Sequence, residues 1–257
     1  MLLALDIGNT NVVGGLYDGP RLAVQWRVST ERERTADELG VLWDGLFRLR
    51  GLAPAQLRGV CIGSVVPSLT PSYVRLARDL WGVRTLVLGL DVDLGIKVET
   101  DHPAEVGVDR IANTLAAREK YGAPAIVVDF GTSTNFDVLS AAGSYIGGVI
   151  APGLRASMDA LASRAAQLFR VPLARPQRVI GRNTIACLQS GAFWGHVGLV
   201  EGVIRRIQEE LGGQATVVAT GGLATVIAPE TRLIDQVDPH LTLDGIRLVW
   251  ERNQEGT

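Results

Sequence analysis

The sequence predicts an α/β protein of two related lobes, each a mixed sheet that opens with an antiparallel three-strand meander and is flanked by helices. "LLALDIGNTNVV" (2–13) and "AIVVDFGTSTNFDV" (125–138) both carry an apolar strand into Asp, Gly and a small cluster of Thr and Asn. Each is followed by two further strand-like runs and then by alternating helix and strand. Asp6 and Asp129 are 129 − 6 = 123 residues apart, too long a period for a solenoid. At 257 residues the chain can bury a large core, enough for one large domain or two ordinary lobes. The expected lobes are 1–115 and 116–257, dividing within or just after a helix that begins near Asp109.

In chain order, "LLAL" leads into the first turn, "VVGGLYD" returns, Asp18-Gly19 signals a hairpin and "RLAVQWRVS" is the third strand. Thr35-Ala-Asp-Glu38 fits a capping box, and Leu39, Leu42, Leu46, Phe47 and Leu49 give the following helix an apolar face that Gly51 ends. "GVCIGSVV" is a strand, Thr70-Pro71 starts a helix that Gly82 stops, and "TLVLG" is another strand. A loop of low periodicity then reaches the Asp109 helix, which ends at Gly122. The pattern restarts with "AIVVD", "FDVLSA" and "SYIGGVIAPG". Helical runs follow over 153–168 and 184–211, then the strand "TVVAT", Gly221-Gly222 and two shorter helical runs. Arg205-Arg206 beside Glu209-Glu210 reads as a solvated helix face with i,i+4 pairs.

Composition excludes several classes. A net charge of −2 with scattered basic residues gives no reason to expect nucleic acid or an anionic membrane as partner. No apolar stretch reaches the roughly 20 residues a membrane helix needs. The opening run has no basic n-region, so a secretory leader is not expected. Cys61 and Cys187 stand in apolar surroundings without metal-ligand spacing, which fits a reducing cytoplasm. His102, His196 and His240 are far apart and read as structural or surface residues; Glu105 reads as a loop charge and Trp194 as packing. Only Lys97 and Lys120 of the 25 basic residues are lysines, and GxxxxGK[ST] occurs nowhere, which excludes a Walker-type loop. GxGxxG between strand and helix is also absent, which weakens a dinucleotide reading.

A strand ending in Asp-x-Gly exposes a carboxylate beside a run of backbone amides, and consecutive amides in a tight turn form an anion-binding nest. Asn9, Thr10 and Asn11 add donors in the first turn, and Thr132, Ser133, Thr134 and Asn135 in the second. The carboxylates repel phosphate, so their natural task is to hold a cation beside it. Alone, one such motif is as well explained by ordinary turn formation. Two copies, each opening a repeated lobe, favour phosphate cradling. On electrostatic grounds Asp6 is the candidate for helping to hold Mg²⁺. Asp109, in "GVDR", is a candidate base: ionised at an ordinary pKa of about 3.9, it can orient an alcohol and accept its proton. Gly107 permits close approach of a ligand and Arg110 offers a fork of donors. Read by itself, Asp109 also suits the N-cap of the next helix.

The paired turns resemble the phosphate motifs of the acetate and sugar kinase, heat-shock ATPase and actin superfamily, and "TVVATGGLA" (216–224) resembles its adenosine motif. "DIGNTN", "SVVP" (64–67), "HPAEVGVDRIAN" (102–113), "DFGTSTNFDV", "GGVIAPGL" (147–154), "IGRNT" with "QSGAFWG", and "DPHLTLDGIRLVWERN" (238–253) occur in one order. Together they closely resemble type III pantothenate kinase, nearly end to end. The resemblance implies ribonuclease-H-like/actin-like ATPase lobes with nucleotide in the cleft between them. It implies ATP-dependent phosphorylation of the primary hydroxyl of pantothenate to 4′-phosphopantothenate, the first step of coenzyme A biosynthesis. A cytoplasmic homodimer, a divalent metal such as Mg²⁺ and a monovalent cation, K⁺ or NH₄⁺, are implied with it.

Residue by residue, the resemblance assigns ATP contacts to Asp6, Ile7, Gly8, Asn9, Thr10, Asn11, Val12 and Val13, with Thr132 from the second turn. It assigns proton acceptance to Asp109, the monovalent cation to Asp129, and pantothenate to Gly107, Val108, Asp109, Arg110 and Thr184. Thr100 stands where the family commonly has a substrate-contacting Tyr, and His102 replaces its Asn, so the aromatic wall of the substrate pocket is altered. The second turn reads GTSTN instead of GTATT and keeps its small polar character. A kinase of another small polar alcohol, or a non-catalytic nucleotide-binding regulator of the same fold, are the rival readings.

Overall fold

The structure, a computed structural model, describes residues 1–164 and 170–254. The chain forms two compact units: Met1–Lys97, Asp101–Ala116 and the segment from His240 make the first, Val98–Thr100 and Ala117–Pro239 the second.

The first unit carries a five-stranded sheet of β1 (Leu2–Ile7), β2 (Asn11–Asp18), β3 (Arg21–Ser29), β4 (Gly59–Ser64) and β5 (Thr85–Val87), in the order β3-β2-β1-β4-β5. β1, β2 and β3 pair antiparallel; β4 and β5 add parallel to β1. β1 is apolar at almost every position because both faces of this central strand are covered. Helix α1 (Ala36–Arg48) sets Trp43 over Gly14 on one face, and α7 (Leu241–Arg252) sets Leu243 over Gly15 on the other. A Cβ at Gly15 would stand 2.9 Å from Leu243 Cδ1, and one at Gly14 would strike the Trp43 ring, so the paired glycines admit both helices. Trp26, Trp43, Phe47 and Tyr73 form the aromatic centre of this core, with Trp26 and Trp43 edge to face at 6.0 Å. Each such ring fully buried contributes roughly 1.5–3 kcal/mol.

The local start and stop signals act as read. Thr35 caps α1: its Oγ1 accepts the Glu38 amide at 3.3 Å, and Glu38 Oε2 accepts the Thr35 amide at 2.8 Å. α2 (Thr70–Arg75) starts at Thr70-Pro71, continues as one π turn over Leu76–Leu80, and stops at Gly82 with φ +65°. α3 (Val108–Tyr121) ends at Gly122, φ +86°.

The second sheet repeats the first. β6 (Ala125–Phe130), β7 (Ser133–Leu139) and β8 (Tyr145–Pro152) pair antiparallel, and β9 (Thr216–Thr220) and β10 (Gln236–Val237) add parallel to β6. The order β8-β7-β6-β9-β10 reproduces that of the first sheet with the same strand directions. α4 (Leu154–Arg164), α5 (Thr184–Glu210) and α6 (Ala224–Ile227) flank it, and Phe130, Phe136, Phe193 and Ile204 sit in its core. The helical run expected over 153–168 is present to Arg164; residues 165–168 lie outside the described residues.

Two readings need amendment. β10 went unseen, because two exposed residues between turns carry no periodicity. Arg205 pairs with Glu201 at 3.1 Å, one turn toward the N-terminus of α5, instead of with Glu209. The segment from His240 belongs with the first unit, where Leu243 and Ile246 of α7 pack against β2 and β4. The division between units falls inside α3, between Ala116 and Ala117.

Candidate functional site

In the first unit, Asp6 and Ile7 end β1, Gly8, Asn9 and Thr10 form the turn, and Asn11, Val12 and Val13 begin β2. The Gly8 amide donates to the Asn11 carbonyl at 3.1 Å, closing the turn. The end of β3 clamps it from the side: Thr30 Oγ1 donates to the Gly8 carbonyl at 2.6 Å, and the Thr30 amide to the Thr10 carbonyl at 3.0 Å. Asn9 and Thr10 are exposed at the tip, and Asp6 is half-buried beneath them. Asp6 registers with Val13 on one side and Gly63 on the other, which fixes its carboxylate at the carboxyl end of β1.

"SVVP" joins this turn to the Asp109 segment. The Val65 amide donates to the Ile7 carbonyl at 3.0 Å, and Ser64 Oγ is held by the Val66 amide and the Thr70 hydroxyl. Val65 Cγ1 lies 3.6 Å from the place a Cβ on Gly107 would occupy. The first turn and the predicted base are therefore neighbours within one unit, bridged by Val65.

Asp109 is the second residue of α3, so it is not the N-cap. Its Oδ1 accepts the amide of Arg110 at 2.8 Å and stands 2.5 Å from a Cβ built on Gly107. A side chain at Gly107 would displace the carboxylate. Burial pushes the Asp109 carboxyl above its ordinary range; the Arg110 amide and guanidinium pull downward without cancelling it. A carboxylate that holds protons more tightly is a better base toward an alcohol. Val108 and Arg110 flank it, half-buried, on the same first turn of α3.

In the second unit, Asp129 sits near the end of β6, between Asn135 of β7 and Thr220 of β9. The turn closes through the Gly131 amide on the Ser133 carbonyl at 2.9 Å, and Ser133 Oγ donates to Asn135 Oδ1 at 2.8 Å. Thr132 is exposed at its tip. Two glycines outside the motif support it. Gly153, just before α4, leaves no room for a Cβ against the Thr132 and Gly131 carbonyls. Gly221, φ +87°, packs on Asp129 and Phe130: a Cβ there would meet the Asp129 carboxylate and lie 2.7 Å from the Phe130 backbone nitrogen. "TVVATGGLA" is thereby seated against the second turn.

Sequence reasoning missed a further support. His196 of α5 is buried and hydrogen-bonds Thr134 Oγ1 through Nε2 at 3.1 Å, with its ring 6.1 Å from that of Phe130. Burial holds its pKa below the ordinary value, so the ring is neutral. The contact spans 62 residues, and no local signal announces it. Thr184, the first residue of α5, is exposed. It lies 12 residues before His196, about 18 Å along a helix. Both line a cavity of about 490 Å³ between α4 and α5, whose apolar wall includes Met158 and Leu199. Thr100 lies on the short segment beside β8, where the Glu99 amide donates to the Tyr145 carbonyl at 2.8 Å. Its buried hydroxyl has no hydrogen-bond partner among the described residues.

Among the described residues no cluster of three or more His, Cys, Asp or Glu is arranged to hold a metal. The Asp6 carboxylate is an oxygen donor of the kind Mg²⁺ takes when it arrives on a polyphosphate and keeps several waters. Beside Asp129, the atoms nearest a Cβ built on Gly221 are one carboxylate oxygen and the Phe130 backbone carbon and nitrogen, so the residues there contribute a single oxygen donor toward a monovalent cation. Among the described residues no helix is long and apolar enough to cross a membrane.

Residues 2–206 match the family model of type III pantothenate kinase. The type III pantothenate kinase of Moorella thermoacetica is 51% identical over 253 residues, covering 98% of this chain and all of that protein. That of Roseiflexus castenholzii is 52% identical over 255 residues, covering 99% of this chain and all of its own. Among solved structures, an inorganic polyphosphate/ATP-glucomannokinase from Arthrobacter sp. strain KM shares the fold. It has a TM-score of 0.52 at 17% identity and 98% coverage of both chains. A family model spanning most of the chain and relatives of half-identical sequence along its whole length lead to one statement: the chain belongs to the type III pantothenate kinase family.

Proposed function

We propose that this protein transfers the γ-phosphoryl group of ATP to the primary hydroxyl of pantothenate, giving 4′-phosphopantothenate and ADP. The observation that carries the reading is the half-buried Asp109 carboxylate, packed against Gly107, which lies beside the Val65 that hydrogen-bonds the end of β1 at the first Asp-x-Gly turn. Asp109 orients the pantothenate hydroxyl and takes its proton as the bond to phosphorus forms. Gly107, Val108 and Arg110 line the acceptor side, Arg110 with donors for the carboxylate of pantothenate, and the family resemblance gives Thr100 and Thr184 as further pantothenate contacts. ATP is contacted by Asp6 to Val13 and by Thr132, mainly through turn amides and hydroxyls. Bound Mg²⁺, helped by Asp6, neutralises charge on the β- and γ-phosphates. Asp129 holds K⁺ or NH₄⁺.

The protein acts in the cytoplasm as a homodimer, without nucleic-acid or membrane partners. Ile146, Val149 and Ile150 support the dimer: all three are exposed on the edge strand β8. A panel assay of ADP release tests the acceptor. Pantothenate is expected to support turnover with Mg²⁺ and K⁺, and other small polar alcohols at least tenfold less. An alcohol that outcompetes pantothenate would move the assignment to another kinase.

A further inference from the structure

We infer that Arg32 is a phosphate-binding residue of the first turn, contacting ATP beyond its α-phosphate. Arg32 lies in the connection after β3, two residues past Thr30. Thr30 is fixed to the turn twice, through Gly8 and Thr10, so the chain leaves β3 beside the turn's open tip. From there one guanidinium nitrogen of Arg32 donates to Asn9 Oδ1 at 3.0 Å. Asn9 and Arg32 are both exposed, so the charge stands next to the amides and hydroxyls that would cradle phosphate and is open to a ligand.

The inference rests on the kinase reading above and adds to it the cation the motif lacks. A triphosphate brings several negative charges to a turn that already holds the Asp6 carboxylate. The chain has no Walker lysine, and neither of its two lysines falls in the turn. A guanidinium that spends one donor on Asn9 keeps others for the phosphate oxygens, and its planar fork matches them. Between two exposed groups that hydrogen bond adds little to folding, so stability does not explain why the arginine is there.

Calorimetric titration of the full-length protein with MgATP, MgADP and AMP tests the inference, using wild type, Arg32→Gln and Arg32→Lys. Arg32→Gln is expected to weaken MgATP and MgADP about tenfold or more while AMP stays within twofold of wild type. Arg32→Lys should recover part of the loss, keeping the charge without the fork. Unchanged MgATP affinity in Arg32→Gln, or an equal loss for AMP, would overturn the inference and leave the kinase reading intact. A wild-type protein that binds no MgATP would overturn both.

Discussion

At Asp109, burial and a backbone hydrogen bond act in opposite directions, and burial prevails. The folded protein therefore binds that proton more tightly than the unfolded chain does. The stability this confers is complete below the unfolded pKa of about 3.9 and is lost as pH rises through the higher folded value. At neutral pH the ionised carboxylate is a cost to folding. Asp109→Asn should keep or raise the thermal midpoint and keep ATP affinity while turnover falls at least 100-fold; a fall in midpoint with near-normal turnover would reduce Asp109 to a structural acid. His196 has the opposite sense. Its folded pKa is depressed, so its contribution is present above about pH 6.5 and declines as pH falls. Urea titrations at pH 7 and pH 5 should show wild type losing more stability on acidification than His196→Gln. Equal losses would show that His196 does not bury a neutral ring. Asp109 was legible as an acid at a helix start, though it stands inside the first turn of α3 and not at its cap. For His196 the sequence supports no more than a structural or surface role, and its tie to Thr134 has no local signal because it crosses 62 residues.

The hairpins and helix caps are the elements that sequence announces best, because their determinants lie within four residues of one another. Thr35 and Glu38 are such a pair, and Thr35→Ala should cost about 1 kcal/mol in chemical denaturation. A loss within error would mean that packing of Trp43 and Phe47 alone fixes α1. The second turn is different. Its supports, Gly153 and Gly221, lie on segments remote in sequence, and only the fold brings them to Thr132 and Asp129. Gly221→Ala forces a Cβ into a left-handed backbone and against the Asp129 carboxylate. The backbone alone should cost about 1–3 kcal/mol. If Asp129 holds the monovalent cation, activation by K⁺ should disappear in this variant; retained activation would move the cation elsewhere.

On the scale of the whole molecule, one strand order occurs twice, and the repeat of the Asp-x-Gly turn is the sequence trace of it. That duplication was readable because strand, turn and strand recur in the same order. The return of the segment from His240 to the first unit was not, since it depends on which sheet the face of α7 fits. The exposed apolar edge at β8 belongs to this scale too: Ile150→Glu should convert a sedimenting dimer of the 27.4 kDa chain to monomer. A monomeric wild type would remove that assignment. The central claim is the chemistry, and mass-spectrometric identification of the product tests it most directly. Wild-type protein with MgATP, K⁺ and pantothenate should yield 4′-phosphopantothenate, and Asp109→Asn at matched ATP occupancy should yield almost none. Wild-type protein that binds ATP and forms no phosphopantothenate would contradict the account.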